Sequence, residues 1–153
     1  MANPTHITFH CDDVLFHWED ENMLTSWLSR ICDNEKVSLS ELSYVFCSDE
    51  RLLQINQEYL NHDYFTDVIT FDLSEDENIE GEIYISLDRV TEHAQELSIP
   101  FEKELCRVMA HGLLHLIGYD DKSQELKTEM TQREDISLSL LKEVPRGTFD
   151  TKE

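Results

Sequence analysis

Basic residues are scarce in this sequence. Twelve lysines and arginines stand against 33 aspartates and glutamates in 153 residues, a formal net charge of -21. Such a balance favours solubility and repels nucleic acid and anionic membranes at long range. It argues against a broad phosphate-binding face, because basic side chains supply most sequence-independent nucleic-acid affinity. Any RNA held here needs a local basic strip, a bound cation or a partner. No apolar run approaches the ~20 residues of a membrane span, so no membrane association is expected. The four cysteines, Cys11, Cys32, Cys47 and Cys106, form no CxxC pair. The start MANPTHITFH lacks the basic and apolar segments of a secretory signal. Reduced thiols and a cytoplasmic location are therefore the expectation.

Linkers and repeats are missing too: no stretch is rich in Gly, Pro or Ser, and no segment recurs. What remains suits an ordinary globular chain, 40% hydrophobic and 29% charged at 18.0 kDa. We expect one domain over residues 1–143, followed by a polar tail, VPRGTFDTKE (144–153), without fixed structure. Strands are expected at ITFHC (7–11), SYVFCS (43–48), DVITF (67–71) and EIYISL (82–87), from β-branched content and alternation. Helices are expected at 21–32, from Asp49 to about Tyr59, at 88–97, from Phe101 to about Ile117, and at 122–143. Ser48 followed by Asp49 and Glu50 reads as a helix N-cap with acidic first-turn residues. Strands and helices mix without regular alternation. The expected class is α+β, a small mixed β-sheet packed with helices.

The segment HGLLHLIGYDD (111–121) carries the chemistry. At ~100° per residue, helix positions four apart differ by only ~40°, so His111 and His115 project side by side. Both fall on the flank of the apolar stripe Phe101, Leu105, Met109, Gly112 and Leu116. Gly118 is suited to end the helix and turn the chain back, which lets Asp121 approach the two imidazoles. The pattern HxxxHxxGxxD imitates the HExxHxxGxxH metalloproteases, with Gly112 in place of the general-base glutamate and Asp121 in place of the third histidine. A protease is therefore disfavoured. Two readings remain: a histidine-containing core helix with a glycine cap, or a three-ligand site for one divalent metal ion, zinc by donor type. The second is favoured, with the site at the end of a central helix, and Asp120 as the alternative third ligand.

HGLLHLIGYDD resembles the HGxLHLxGYDH signature of the YbeY family, metal-dependent endoribonucleases linked to ribosomal RNA maturation. Asn56, Tyr59, Asp63 and TDVITF (66–71) resemble that family's N-x-x-Y-R…TDVLSF stretch, and GEIYIS (81–86) resembles its GDIxIs strand. The likeness covers roughly residues 40–142. Two departures stand out. Asp121 replaces the family's last histidine, which a two-histidine, one-carboxylate hydrolytic set tolerates. Leu60 replaces an arginine linked to phosphate; His62, Arg51, Arg107 and Lys122 are other basic groups whose place the spacing does not fix.

The resemblance implies a metal-dependent single-strand endoribonuclease acting on ribosomal RNA, in maturation and ribosome quality control, with the small ribosomal subunit as a partner. The ion would act as a Lewis acid on a phosphodiester oxygen. Asp67, in the TDV segment, is a candidate to orient a ligand or water. Other readings are a non-catalytic, metal-stabilised ribosome-assembly factor, which Leu60 favours, and a metallohydrolase of a small substrate, which the acidic surface suits.

Overall fold

The apolar alternation of the strand segments is realised as a mixed sheet. The computed structural model describes residues 6–150. In chain order its elements are β1 (Ile7–Cys11), β2 (Phe16–Trp18), α1 (Glu21–Asn34), β3 (Leu39–Cys47), α2 (Asp49–Leu60), β4 (Val68–Asp72), β5 (Ile79–Ser86), α3 (Leu87–Leu97), α4 (Phe101–Ile117), α5 (Gln124–Ser139) and β6 (Gly147–Phe149). The main sheet runs β1-β3-β5-β4. β1 and β5 flank β3 in parallel, and β4 closes the edge antiparallel to β5. The class is α+β, as the sequence implies.

Strand period two sorts the side chains between the sheet's faces. Leu42, Tyr44 and Phe46 of β3 join Ile83 and Ile85 of β5 in the main core, which α1 and α4 complete with Leu24, Trp27, Leu28, Leu105, Met109 and Leu113. A small second cluster, Cys47, Leu52, Ile55 and Ile69, lies under α2. Two buried hydrogen bonds tie the layers: Tyr44 Oη donates to the Met109 carbonyl at 2.9 Å and Trp27 Nε1 to that of Ser137 at 2.8 Å. The first fixes α4 against β3. The second joins α1 to α5.

Cap chemistry sets the helix ends. Ser48, Ser86 and Ser123 each accept a first-turn N–H of the helix they precede. Gly118 ends α4 at φ 128°, which a side chain would strain, and its N–H reaches the Leu114 and His115 carbonyls.

The carboxy-terminal segment departs from expectation. Gly147–Phe149 pairs antiparallel with β2, a strand that the sequence reading had missed. The reason is aromatic packing. Phe149 lies 5.2 Å from Phe16 and 5.1 Å from Phe101 between ring centroids, and Gly147 leaves room that a Cβ would take from the Phe16 ring. Residues 144–150 of the expected tail are thus anchored to the domain, and residues 151–153 lie outside the described part.

Candidate metal centre

α4 is the most apolar helix of the chain, and burial of ten of its residues fixes its rotation on the sheet. Gly112 faces the sheet so closely that a Cβ there would meet Ile83 Cγ2 at 2.8 Å and Cδ1 at 3.1 Å. With that face fixed, His111 and His115 are held at the flank, their side chains 17% and 26% exposed. They are sheltered yet open to a ligand.

Three donor atoms converge there. His111 Nε2 lies 3.0 Å from His115 Nε2, and Asp121 Oδ2 lies 3.6 Å from the first and 3.5 Å from the second. Zinc bonds of about 2.0–2.1 Å place tetrahedral ligands about 3.3 Å apart. The spacings and the donor types both fit such an ion. Asp121, 39% exposed, forms the open side.

The turn after Gly118 brings Asp121, rather than Asp120, within reach of the two imidazoles. Asp120 Oδ1 accepts the backbone N–H of Asp121 at 2.6 Å and of Lys122 at 3.2 Å, which ties that oxygen to the turn. Tyr119 anchors the same turn: its hydroxyl donates to Glu35 Oε1 at 2.7 Å, and Arg133 stacks over its ring at 5.5 Å. Tyr119 is a brace.

A residue that sequence reasoning missed completes the surroundings. Glu134 of α5 places Oε2 2.6 Å from His111 Nδ1. A carboxylate only accepts, so the imidazole donates from Nδ1 and offers its Nε2 lone pair to the group. Burial alone would raise the Glu134 carboxyl, yet the His111 hydrogen bond and the Arg107 charge hold it below the ordinary carboxylate value. One signal was available: Met130, Glu134, Ser137 and Leu141 share helical spacing, which puts a charged residue on an otherwise inward stripe.

Asp67, the candidate to orient a ligand or water, lies immediately before β4. Among the described residues no hydrogen bond joins its side chain to His111, His115 or Asp121, and its carbonyl accepts the Ser86 N–H at 3.0 Å at the start of β4. Leu60 ends α2 and is exposed. Of the four basic groups considered in its stead, Arg107 is held by Glu104 and Glu134, and Arg51 by Asp12 at 2.9 Å. His62 bonds and stacks with Tyr64, and Lys122 is exposed just past Asp121.

In this α+β domain the central helix carries two histidines near its end and the turn beyond it a carboxylate, together a group that could hold a metal ion. The chain belongs to the endoribonuclease YbeY family: the family model described as Endoribonuclease YbeY matches residues 7–142. An Endoribonuclease YbeY of Cytophaga hutchinsonii is 50% identical over 137 residues, 89% of this chain and 96% of that protein. One of Flavobacterium psychrophilum is 47% identical over 128 residues, 84% and 91% of the two chains. The solution structure of TM1509 from Thermotoga maritima is similar with a TM-score of 0.63 and 29% identity, over 88% of each chain. The family match begins at β1, well before the segment that carries the motifs.

Proposed function

We propose that this protein is a metal-dependent endoribonuclease that cuts single-stranded RNA, with ribosomal RNA as its substrate during maturation and ribosome quality control in the cytoplasm. The small ribosomal subunit is the partner this reading implies, and zinc is the ion that the donor set fits best. The observation that carries the proposal is the convergence of His111 Nε2, His115 Nε2 and Asp121 Oδ2 at tetrahedral ligand spacing, in a chain whose relatives are named endoribonucleases.

In this reading His111, His115 and Asp121 hold the ion. When bound, a divalent cation supplies Lewis acidity to a phosphodiester oxygen and eases deprotonation of the attacking hydroxyl. The chain's own groups orient the site. Glu134 keeps the proton of His111 on Nδ1, and the Tyr119–Glu35 bond holds the turn that brings Asp121 in. The cation also answers the charge problem posed by the sequence, since a chain at -21 gains a local positive centre for phosphate. Gly112, buried against Ile83, leaves no place for the glutamate of the protease pattern.

The test is cleavage of single-stranded and structured RNA by purified protein, with and without chelator. Cleavage should stop with chelator and return with added zinc. Cleavage that persists in the His111→Ala, His115→Ala double variant would overturn the metal mechanism. A second reading, a metal-stabilised assembly factor without catalysis, is favoured by Leu60 and by the capture of Arg107 between two glutamates. Chelation that unfolds the protein, with no cleavage measured beforehand, would select it.

A further inference from the structure

Glu104, Arg107, His111 and His115 follow one another at spacings of three, four and four along α4, and so share one face of that helix. The first two lead directly to the metal group. Arg107 donates from Nε to Glu104 Oε1 at 2.9 Å and from Nη2 to Glu104 Oε2 at 2.5 Å. Its Nη1 donates to Glu134 Oε1 at 3.1 Å, and Glu134 Oε2 accepts from His111 Nδ1 at 2.6 Å. The chain of contacts thus crosses from α4 to α5 and returns to α4 at the first histidine.

Burial makes this chain costly unless it has a purpose. The Glu104 side chain is 0% exposed and that of Glu134 7%. Among the described residues, neither carboxylate has a buried oxygen left without a partner. Two buried carboxylates thus share one guanidinium, and the second oxygen of Glu134 is taken by the imidazole of His111. His93 of α3 comes within 3.8 Å of Glu104, too far for a hydrogen bond. Well-packed apolar side chains stabilise a core as well as a buried ion pair or better, so stability alone does not account for the arrangement. The Glu134 oxygen turned to His111 Nδ1 suits a cation on the far side of that ring.

We propose that Glu104, Arg107 and Glu134 form a positioning array that presents His111 Nε2 to a divalent cation and strengthens its binding. Glu134 acts through His111; Arg107 and Glu104 act by fixing Glu134. The inference rests on the metal reading above and adds to it residues that lie behind His111 rather than among the three donors. A carboxylate behind a ligating histidine fixes its tautomer and raises its basicity, and losing such a partner typically costs about 10- to 100-fold in metal affinity.

The experiment is zinc affinity, measured on metal-stripped protein by competition with a chromophoric chelator, for wild type, Glu134→Ala, Glu134→Gln and Arg107→Met. Circular dichroism of the stripped forms checks the fold. Nitrogen-15 NMR of His111, at a pH where the ring is neutral, reads which nitrogen carries the proton. A merely structural ion pair would not move that readout. Glu134→Ala should bind zinc about 10- to 100-fold more weakly and lose the Nδ1–H form of His111. Glu134→Gln, which keeps an acceptor but not the charge, should fall between it and wild type, and Arg107→Met should weaken binding less than Glu134→Ala. Wild-type affinity in both Glu134 variants overturns the array. If Glu134→Ala does not fold, Glu134→Gln decides: weaker binding supports the array and unchanged binding overturns it. Wild-type protein that takes up no zinc overturns the metal reading itself, a result distinct from equal affinities across the series.

Discussion

The Cβ that Gly112 lacks would stand 2.8 Å from Cγ2 of Ile83, so α4 rests on β5 at a separation that only glycine permits. That closeness sets the depth at which His111 and His115 emerge beside the sheet. It also means that a glutamate at position 112 would point into the core rather than toward a substrate.

Gly112→Ala should therefore lift α4 from the sheet. Overpacking of this kind costs about 1–3 kcal/mol, which thermal denaturation will show as a lower Tm. Zinc affinity should fall with it, since the two histidines ride on the displaced helix. A Tm and affinity equal to wild type would show that the helix has slack at this point.

Arg107→Ala should be more damaging. It removes the guanidinium from the fully buried Glu104 and from Glu134. Breaking one side of a buried pair costs about 3–5 kcal/mol. The lower end is expected, because the Arg107 side chain is 31% exposed. The paired change Glu104→Leu, Arg107→Met should cost less, as it removes a buried charge together with its partner. Urea denaturation of the two variants gives the comparison, and a double variant less stable than Arg107→Ala would refute it.

Tyr119→Phe deletes the hydroxyl that bonds to Glu35 Oε1 at 2.7 Å, and Glu35 is itself only 6% exposed in its side chain. A hydrogen bond to a charged group is worth about 1.5–3 kcal/mol. The urea midpoint should fall with an unchanged slope, and zinc should bind more weakly because Asp121 sits on the loosened turn. Loss of stability without loss of affinity would separate the turn from the metal group.

The thiols should divide sharply. All four cysteines are free; Cys11 is exposed, and Cys32, Cys47 and Cys106 are buried. Burial pushes the Cys32 and Cys47 thiols up to about 12 and raises Cys106 as well, so at pH 8 these three stay protonated. A thiol reagent should label Cys11 in native protein and the other three only after unfolding. Native labelling of Cys32 or Cys106 would indicate that the main core opens.

Local chemistry explains what could be read from the residues alone. The period of α4, the Ser48 cap, the Gly118 stop and the four-residue spacing of His111 and His115 are all short-range, and each recurs in the structure. Long-range pairing was out of reach. β6 finds β2 across most of the chain, through Phe149 and Phe16, and the polar neighbours of Phe149 gave no periodicity to reveal it. Glu134 lies 23 residues beyond His111, in a helix whose many other charges hide the one turned inward. Which of Asp120 and Asp121 approaches the imidazoles depended on how the turn folds, with Asp120 Oδ1 bonded back to the turn itself. Asp67 could be named from its TDV segment alone, but what its side chain faces depends on how the chain enters β4, where its carbonyl accepts the Ser86 N–H.

The most direct test of the account is elemental analysis of protein purified without added metal, wild type beside Asp121→Ala. Three converging protein donors with an open side predict about one zinc per chain in wild type and a small fraction of that in the variant. Wild type free of any ion in every preparation, or a variant that retains the full complement, would contradict it.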